Sequence, residues 1–244
     1  MNLRSMPKDG PRRARPQEED SVMTTSAAVR IHDRDEDERT ARVQRRRRQV
    51  LQAATRLMQE SGFHSMSVQS VADQANVSVG LIYKYFGNKE DILRAVIVDI
   101  LEDFRDRVPA AMQEAGDDPV ERFSRGFRVF CEVVDAKRDA TILTYRESKT
   151  LSPEGRRQIM HLELQTTEPI RQAVRDGVAA GAFNQVDVDL VVHNTLLVAH
   201  GWALKHWHLR KRFTLEEYID AQLDLLLASM RPAGRRTSSR APRR

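Results

Sequence analysis

The chain has one cysteine, Cys131, among its 244 residues, and aromatic residues make up only 6% of it. A single cysteine excludes a framework of internal disulfide bonds. Because Cys131 shares an apolar helical face with Phe127 and Phe130, we predict a small buried core residue rather than a redox sensor. No apolar run is long enough to cross a membrane, and the N-terminus lacks the apolar core of a secretory signal. We therefore expect a soluble, cytoplasmic protein without a membrane partner.

Signatures of catalysis and of metal binding are also missing. The sequence has no glycine-rich phosphate loop, no nucleophile elbow and no carboxylate pair with a supporting base. His193, His200, His206 and His208 share one predicted helix. Two metal ligands on one helical face should be about three or four positions apart, which these histidines are not. We predict that the protein is not an enzyme and has neither a metal site nor a cofactor.

The charged residues are distributed unevenly. The net charge of +5 comprises +4 over residues 1–48, +6 over residues 231–244 and −5 over residues 49–230. Residues 1–42 and 231–244 are rich in charged residues, Ser and Pro and poor in apolar ones, so they bury too little surface to offset the entropy of folding. We predict a disordered N-terminal tail over 1–42 and a basic disordered tail over 231–244.

The rest of the sequence predicts an all-α fold of about nine helices, since apolar residues recur at helical spacing and no strand-like alternation occurs. The first apolar stripe runs from Val50 to Met58. Ser67 is placed to cap a short second helix, and Asn76-Val77-Ser78 forms a turn before a third helix over Val79 to Phe86. Two short helices joined by a tight turn, the second with exposed basic and aromatic groups, indicate a helix-turn-helix.

The residue types of this unit suit contact with DNA. Gly80 leaves space for close approach, while hydroxyl and ammonium groups hold phosphates, and apolar side chains at the start of the third helix contact thymine methyl groups. Four arginines precede the first apolar stripe and can reach phosphates or a minor groove. The expected DNA contacts are Arg45, Arg46, Arg47, Arg48, Ser67, Gln69, Ser78, Val79, Gly80, Leu81, Tyr83, Lys84 and Tyr85.

This stretch resembles the TetR family of bacterial transcriptional repressors. The matching motifs are Ala53 through Phe63, Ser67-x-x-x-Val71-Ala72, Val77-Ser78-x-Gly80-x-Ile82-Tyr83-x-Tyr85-Phe86, and Lys89-Glu90-Asp91-Ile92-Leu93. The family more often has threonine at position 67, a conservative difference. The resemblance implies that Ser67 bonds a phosphate, that Tyr83 and Tyr85 touch DNA, and that Lys89 lies near a phosphate. It also implies a homodimer with a ligand-sensing body, so we assign residues 43–88 to DNA binding and residues 89–230 to ligand binding and dimerisation.

Cap signals divide the body into further helices. Asn88 opens a fourth helix, Asp118-Pro119 and Ser152-Pro153 open two more, and Pro169 is expected to interrupt the second of these. Asp187 or Asp189 begins a helix that runs to about His208, and Thr214-x-x-Glu217 is a capping box for the last one. The stripes on the last two helices predict a dimer interface. Its expected residues are Leu190, Asn194, Gly201, Leu204, Tyr218, Gln222, Leu225 and Ser229.

An elongated apolar cavity is expected among the middle helices. Its expected effector-binding residues are Phe127, Phe130, Cys131, Tyr145, Met160, Leu164, Leu197 and His200, each of which would equally suit an ordinary core. Three parts of the body resemble the branch of these repressors that governs fatty-acid, sterol or aromatic-acid catabolism and is released by acyl-CoA thioesters. They are Leu143 to Lys149, Gly181-Ala182-Phe183 followed by Val186 to Leu190, and Trp202 with His206-Trp207. Three alternatives remain open from the residues alone.

The first alternative is a repressor that binds a palindromic operator in double-stranded DNA and is released by an acyl-CoA, with Arg146, Lys149, Arg156 and Arg157 as a local basic patch. The second is a repressor of an efflux pump, released by lipophilic or cationic compounds that a carboxylate such as Glu147 or Glu163 would bind. The third is a nonspecific architectural DNA-binding protein that uses its arginine-rich tails.

Overall fold

The protein is helical throughout the part that the computed structural model describes, residues 19–231, with side chains described from residue 38 onward. This range contains ten α-helices and a single turn of 3₁₀-helix at Ser148–Thr150, and no strand. The α-helices are α1 (Glu19–Ser61), α2 (Val68–Ala75), α3 (Val79–Tyr85), α4 (Lys89–Glu114), α5 (Pro119–Ala136), α6 (Arg138–Glu147), α7 (Pro153–Ala179), α8 (Val188–Leu204), α9 (His206–Leu209) and α10 (Leu215–Met230). The prediction of an all-α protein is confirmed.

Helix α1 begins much earlier in the chain than the apolar stripe suggested. Residues 19–61 contain neither proline nor glycine, so no residue in this stretch interrupts the helix. Helix α1 thus covers residues 19–42, where the composition predicted a disordered tail, while residues 1–18 and 232–244 lie outside the described range. The chain divides into two units, residues 1–48 and residues 49–244. The boundary expected at residue 88 falls inside the second unit.

Side-chain caps fix the starts of most helices where the sequence placed them. At each of these starts a side-chain oxygen accepts a hydrogen bond from a backbone N–H of the first turn, which would otherwise lack a partner. The capping residues are Ser67 (α2), Ser78 (α3), Asn88 (α4), Asp118 (α5), Ser152 (α7), Asp187 (α8) and Thr214 (α10). Asp187, rather than Asp189, is thus the cap of α8.

One helix continues through an expected interruption, and another ends earlier than predicted. Helix α7 continues through Pro169 to Ala179, so the proline removes one backbone donor without ending the helix. Helix α8 was expected to run to His208, but it ends at Leu204 because Lys205 leaves the helical region of backbone conformation, with φ −117° and ψ 19°. The residues beyond form the separate turn α9, which accounts for the tenth helix.

Helix α4 lies at the centre of the body and packs against α5, α6 and α7, while α5 also packs against α7, α8 and α10. Four phenylalanines are almost fully buried in this core: Phe104, Phe123, Phe127 and Phe130. The same cluster of buried residues continues through Ile92 and Ile82 into the helix-turn-helix. In the part of the chain that is described, no helix is both long and apolar enough to cross a membrane.

Candidate DNA-binding surface and effector cavity

The turn between α2 and α3 is held by local hydrogen bonds. The Ser67 hydroxyl accepts from the backbone N–H of Ser70 at 2.9 Å, and the Ser70 hydroxyl accepts from the N–H of Ser67 at 3.0 Å. Ser70 completes this reciprocal cap and was not singled out from the sequence, although the spacing of three residues is the signal that would have identified it. Asn76 ends α2 in the left-handed conformation, with φ 48°, which lets the chain turn directly into α3.

Helix α3 places one side inward and the other toward solvent. Ile82 is buried, Tyr83 is 55% exposed and Lys84 is exposed. Tyr85 is half-buried, and its ring meets that of Phe86 edge to face at 6.3 Å. An added Cβ at Gly80 would find no atom within 4 Å, so the start of the helix is open to a close partner. This arrangement of hydroxyl, ammonium and bare backbone suits contact with phosphates.

Lys89, at the first position of α4, lies against the loop between α1 and α2. Its Nζ donates a hydrogen bond to the carbonyl oxygen of His64 at 2.8 Å and lies 4.6 Å from the centroid of the Phe63 ring. An ammonium group has three donors, so it retains donors for a phosphate. The structure thus gives this lysine a second task, which the sequence did not indicate.

The remaining predicted DNA contacts vary in exposure. Ser67, Ser78 and Gln69 are exposed, and the Gln69 amide donates to Asp73 at 2.8 Å. Val79 and Leu81 are half-buried. The arginine run belongs to α1 itself instead of preceding it. In that run Arg47 is half-buried, and the exposed arginines are Arg45, Arg46 and Arg48.

A cavity lies in the body among α4, α5, α6, α7 and α8. The volume of this cavity is about 40 Å³, which holds roughly two or three water molecules. The lining residues are Ile97, Ile100, Leu101, Phe104, Phe130, Thr141, Thr144, Tyr145, Ile159, Glu163, Thr166, Leu196 and His200. Of the eight residues expected to bind an effector, it brings together Phe130, Tyr145 and His200.

The other five expected effector residues do not line this cavity. Phe127 and Cys131 are fully buried in the core, where desolvation raises the pKa of the Cys131 thiol. Met160, Leu164 and Leu197 are instead 64%, 61% and 43% exposed. Sequence periodicity marked all five as apolar positions of helices but could not tell which helix face meets the gap. It also missed α4, whose four lining residues form one wall of the cavity.

Two polar side chains form a pair within this apolar lining. The Tyr145 hydroxyl lies 2.8 Å from Nδ1 of His200, and the two rings meet edge to face at 5.6 Å. Burial lowers the pKa of His200 to about 4 and raises the pKa of Tyr145, so both groups are neutral at pH 7. Glu163 lines the same cavity, and desolvation raises its pKa, opposed by the charge of His193.

Hydrogen bonds connect the wall of the cavity to the beginning of α4. The Glu90 carboxylate accepts from the backbone N–H of Ser152 at 2.6 Å, which lowers the pKa of Glu90. Arg94 donates to the Gln158 side chain at 3.1 Å. Ser152 caps α7, the helix that supplies Ile159 to the cavity.

Exposed basic residues flank the cavity lining in the chain. Arg146 follows Tyr145, Lys149 lies in the 3₁₀ turn between α6 and α7, and Arg156 and Arg157 are on the first turns of α7. Arg146 also lies 3.8 Å from Glu147, which is not among the residues that line the cavity.

The residues expected at a dimer interface fall into two groups. Leu190 and Leu225 are 56% and 66% exposed, and Asn194 and Ser229 are exposed too. Leu204 and Gln222 are half-buried. Tyr218 is buried within its own chain: its hydroxyl donates to the Val198 carbonyl oxygen at 2.7 Å. A Cβ at Gly201 would lie 3.4 Å from that hydroxyl, so the close approach at Gly201 is used by α10 of the same chain.

The four histidines considered as metal ligands lie in different surroundings. His193 is exposed on α8, His200 lines the cavity, and His206 and His208 belong to α9. Among the side chains described, those of residues 38–231, no group of three or more His, Cys, Asp and Glu is arranged to hold a metal ion.

Comparison with known proteins gives matches along most of the chain. The family model described as bacterial regulatory proteins of the tetR family matches residues 50–96, and a tetracyclin repressor-like C-terminal domain matches residues 116–230. The HTH-type transcriptional regulator HbdR of Aromatoleum sp. (strain CIB) is 38% identical over 202 residues, which are 82% of this chain and 88% of that protein.

Solved structures share the fold. The TetR family transcriptional regulator PfmR of Thermus thermophilus is 28% identical with a TM-score of 0.65, over 73% of this chain and 97% of that one. The structure of AibR in complex with isovaleryl coenzyme A and operator DNA is 24% identical with a TM-score of 0.64, over 75% of this chain and 98% of that one.

Proposed function

Because the chain belongs to the TetR family of bacterial transcriptional regulators, which are DNA-binding proteins and not enzymes, we propose that it is a homodimeric repressor released from a palindromic operator by a CoA thioester. The observation that carries this proposal is the course of α4. The helix begins with Lys89 at the helix-turn-helix, and further along it supplies Ile97, Ile100 and Phe104 to the cavity.

The small volume of the cavity supports a mechanism of release. A pocket that holds a typical small ligand has a volume of roughly 300–1,000 Å³. This cavity, at about 40 Å³, is far smaller. An acyl group can enter only if the lining helices move apart, and α4 is one of them. A ligand that binds the expanded arrangement more tightly shifts the equilibrium toward it, whereas equal affinity for both arrangements shifts nothing.

Homodimer formation follows from how two helix-turn-helix units bind DNA. Two third helices related by a two-fold axis enter successive major grooves about 34–36 Å apart. The exposed Leu190 and Leu225 on α8 and α10 support these helices as the surface that joins the protomers. Movement of α4 in each protomer would change the separation of the two third helices and so release the operator.

The choice of a CoA thioester rests on the cavity and the residues beside it. The apolar lining suits an acyl group, and the exposed Arg146, Lys149, Arg156 and Arg157 suit the phosphates of CoA. AibR, which shares the fold, has been solved in complex with isovaleryl coenzyme A and operator DNA. Glu163 in the lining favours a second candidate, a lipophilic cation of the kind that an efflux pump exports.

The test begins with selection of the operator from random DNA, followed by footprinting of the selected site. Operator binding is then titrated with a panel of acyl-CoA thioesters and, separately, with lipophilic cations. We expect a symmetric footprint and release by one or more thioesters. An asymmetric or dispersed footprint contradicts the palindromic operator. Release by cations alone favours efflux control. If neither class of compound releases the operator, the proposal of a CoA thioester as effector is wrong.

A variant distinguishes CoA recognition from binding of the acyl group alone. Replacing Arg156 and Arg157 with Glu should weaken release by every thioester, because the phosphates of CoA then face acidic groups, while release by cations should not decrease. Arg125→Glu is the matched control, since Arg125 is an exposed arginine on α5 that is not part of the cavity lining.

A further inference from the structure

The Tyr145–His200 pair provides hydrogen-bonding capacity inside an otherwise apolar cavity. Three threonines also line the cavity, but each donates its hydroxyl hydrogen to a carbonyl oxygen of its own helix or the residue that precedes it: Thr141 to Lys137, Thr144 to Ala140 and Thr166 to Glu163. Within the described residues, His200 has one hydrogen-bond partner, the Tyr145 hydroxyl at 2.8 Å, so its Nε2 is left for a ligand.

The pair offers the same two functions whichever ring nitrogen carries the proton. If the Tyr145 hydroxyl donates to Nδ1, Nε2 bears the hydrogen and donates, while the phenol oxygen accepts. If Nδ1 donates to the phenol oxygen, the phenol hydrogen is free to donate and Nε2 accepts. Both residues are neutral at pH 7, since burial lowers the pKa of His200 and raises that of Tyr145. The pair therefore presents one donor and one acceptor, one at the Tyr145 hydroxyl and the other at Nε2 of His200.

A hydroxyl group on the ligand can pair with either of these two groups in either protonation arrangement, because it both donates and accepts. Tyr145 is 45% exposed and keeps its bond to His200, but a purely hydrocarbon acyl group would displace water from the remaining donor or acceptor of the pair and offer no hydrogen bond in return, which is costly. A carboxylate would bring a second negative charge to the cavity that Glu163 lines, whereas a hydroxyl carries no charge.

We propose that Tyr145 and His200 are specificity determinants that select an effector whose acyl group carries a hydroxyl, aliphatic or phenolic, over the same acyl group without it. The proposal rests on the proposed function, in which this cavity binds the effector. The apolar residues around the pair, among them Phe104, Phe130 and Ile159, contact the hydrocarbon part of the acyl group and do not distinguish the two ligands.

The test compares two pairs of ligands that differ by one hydroxyl. The first pair is 3-hydroxybutyryl-CoA and butyryl-CoA, whose binding to the full-length protein is measured by calorimetry. The second pair contains no CoA: phenol and benzene, followed through the side-chain resonances of ¹⁵N-labelled histidine. The signal of His200 is assigned from His200→Leu. We expect the hydroxylated member of each pair to bind about five- to tenfold more tightly, the effect of one or two additional hydrogen bonds.

Variants separate specificity from a structural role of the pair. Tyr145→Phe retains the ring and should reduce the preference, and the double variant with His200→Leu should abolish it. Butyryl-CoA and benzene should bind these variants more tightly than the original protein, because no polar group is then left facing the hydrocarbon. Loss of structure would weaken both members of a pair together and leave their ratio unchanged. His208→Gln, at an exposed histidine outside the cavity, should keep the full preference. If the double variant does not fold, Tyr145→Phe decides the question.

The outcomes distinguish the two proposals. Equal binding of butyryl-CoA and 3-hydroxybutyryl-CoA overturns the role of the pair and leaves the CoA effector intact. Preference for phenol that depends on Tyr145, without binding of either thioester, supports the pair and removes CoA as the effector. A preference that persists in the variants, or no binding by any of the four ligands, overturns the inference.

Discussion

The Lys89 ammonium group holds the loop at Phe63 and His64, and we propose that the same group also contacts a phosphate of the DNA. We predict that Lys89→Ala weakens binding to all DNA sequences alike. The slope of log affinity against log salt, which is negative, should become less steep by about 0.9 for each phosphate that is no longer neutralised. Unlike the loss of a pure phosphate contact, this substitution should also lower the melting temperature, because the His64 carbonyl loses its donor.

Lys84→Ala is the matched variant for this measurement, because Lys84 is exposed on α3. It should also make the salt dependence of DNA binding less steep, but without changing the melting temperature. Fluorescence anisotropy over a salt series, together with thermal unfolding, checks both variants. A Lys89→Ala protein with an unchanged salt slope would show that this lysine is structural only.

Two glycines illustrate how differently the same residue type is used. At Gly177 an added Cβ would lie 2.2 Å from Cδ2 of Phe183, a buried ring that also meets Phe123 edge to face at 6.2 Å. We predict that Gly177→Ala destabilises the protein by about 1–3 kcal/mol, because the ring has to shift within a packed core. Urea unfolding measures this loss.

Gly80→Ala is the control, since an added Cβ there meets nothing within 4 Å. It should keep or raise stability, by up to about 1 kcal/mol from helix propensity. Its operator affinity should fall nonetheless, if the bare backbone of α3 approaches DNA closely. Equal stability of the two variants would contradict the packing argument at Gly177.

At the scale of secondary-structure elements, α4 and α7 are connected at their N-terminal ends. Glu90 and Arg94 of α4 bond Ser152 and Gln158, at the start of α7. Both helices line the cavity further along, so a ligand that separates them acts on a pair of elements that is already tied near the helix-turn-helix.

We predict that Glu90→Ala reduces the coupling free energy between effector and operator binding by about 0.5–2 kcal/mol, because the variant loses the hydrogen bond to Ser152 that links α4 to α7. Operator affinity in the absence of effector should stay within about twofold. Glu154→Ala is the control: it also removes an acidic residue from the first turn of a helix, so the loss of favourable interaction with the helix dipole is similar. Operator binding titrated with and without the effector measures the coupling. Equal loss in both variants would assign the effect to the helix dipole.

At the scale of the whole molecule, the exposed leucines of α8 and α10 belong to the surface that we propose joins two protomers. We predict that Leu225→Asp converts a dimer to a monomer and abolishes binding to the full operator, because a buried carboxylate without a partner is strongly unfavourable at an interface. Leu164→Asp, at a leucine of similar exposure on α7, should leave the dimer intact. Sedimentation velocity distinguishes the two variants. Dissociation by Leu164→Asp alone would move the interface to α7.

The sequence by itself determined where most helices begin and where the helix-turn-helix lies. A cap such as Ser78 or Asn88 acts on a backbone N–H three residues away, and an apolar stripe repeats within one or two turns, so both are encoded locally. For the same reason the exposed Tyr83 and Lys84 of α3 were identified without a structure.

Only the tertiary structure decided which apolar residues enclose the cavity. Phe127 and Phe130 are indistinguishable by periodicity, yet only Phe130 lines the cavity, because that depends on how α4, α6 and α8 are oriented around α5. Likewise, Gly201 makes room for Tyr218 of its own chain, and Lys89 contacts Phe63. Such contacts join residues distant in sequence, and no local pattern records them.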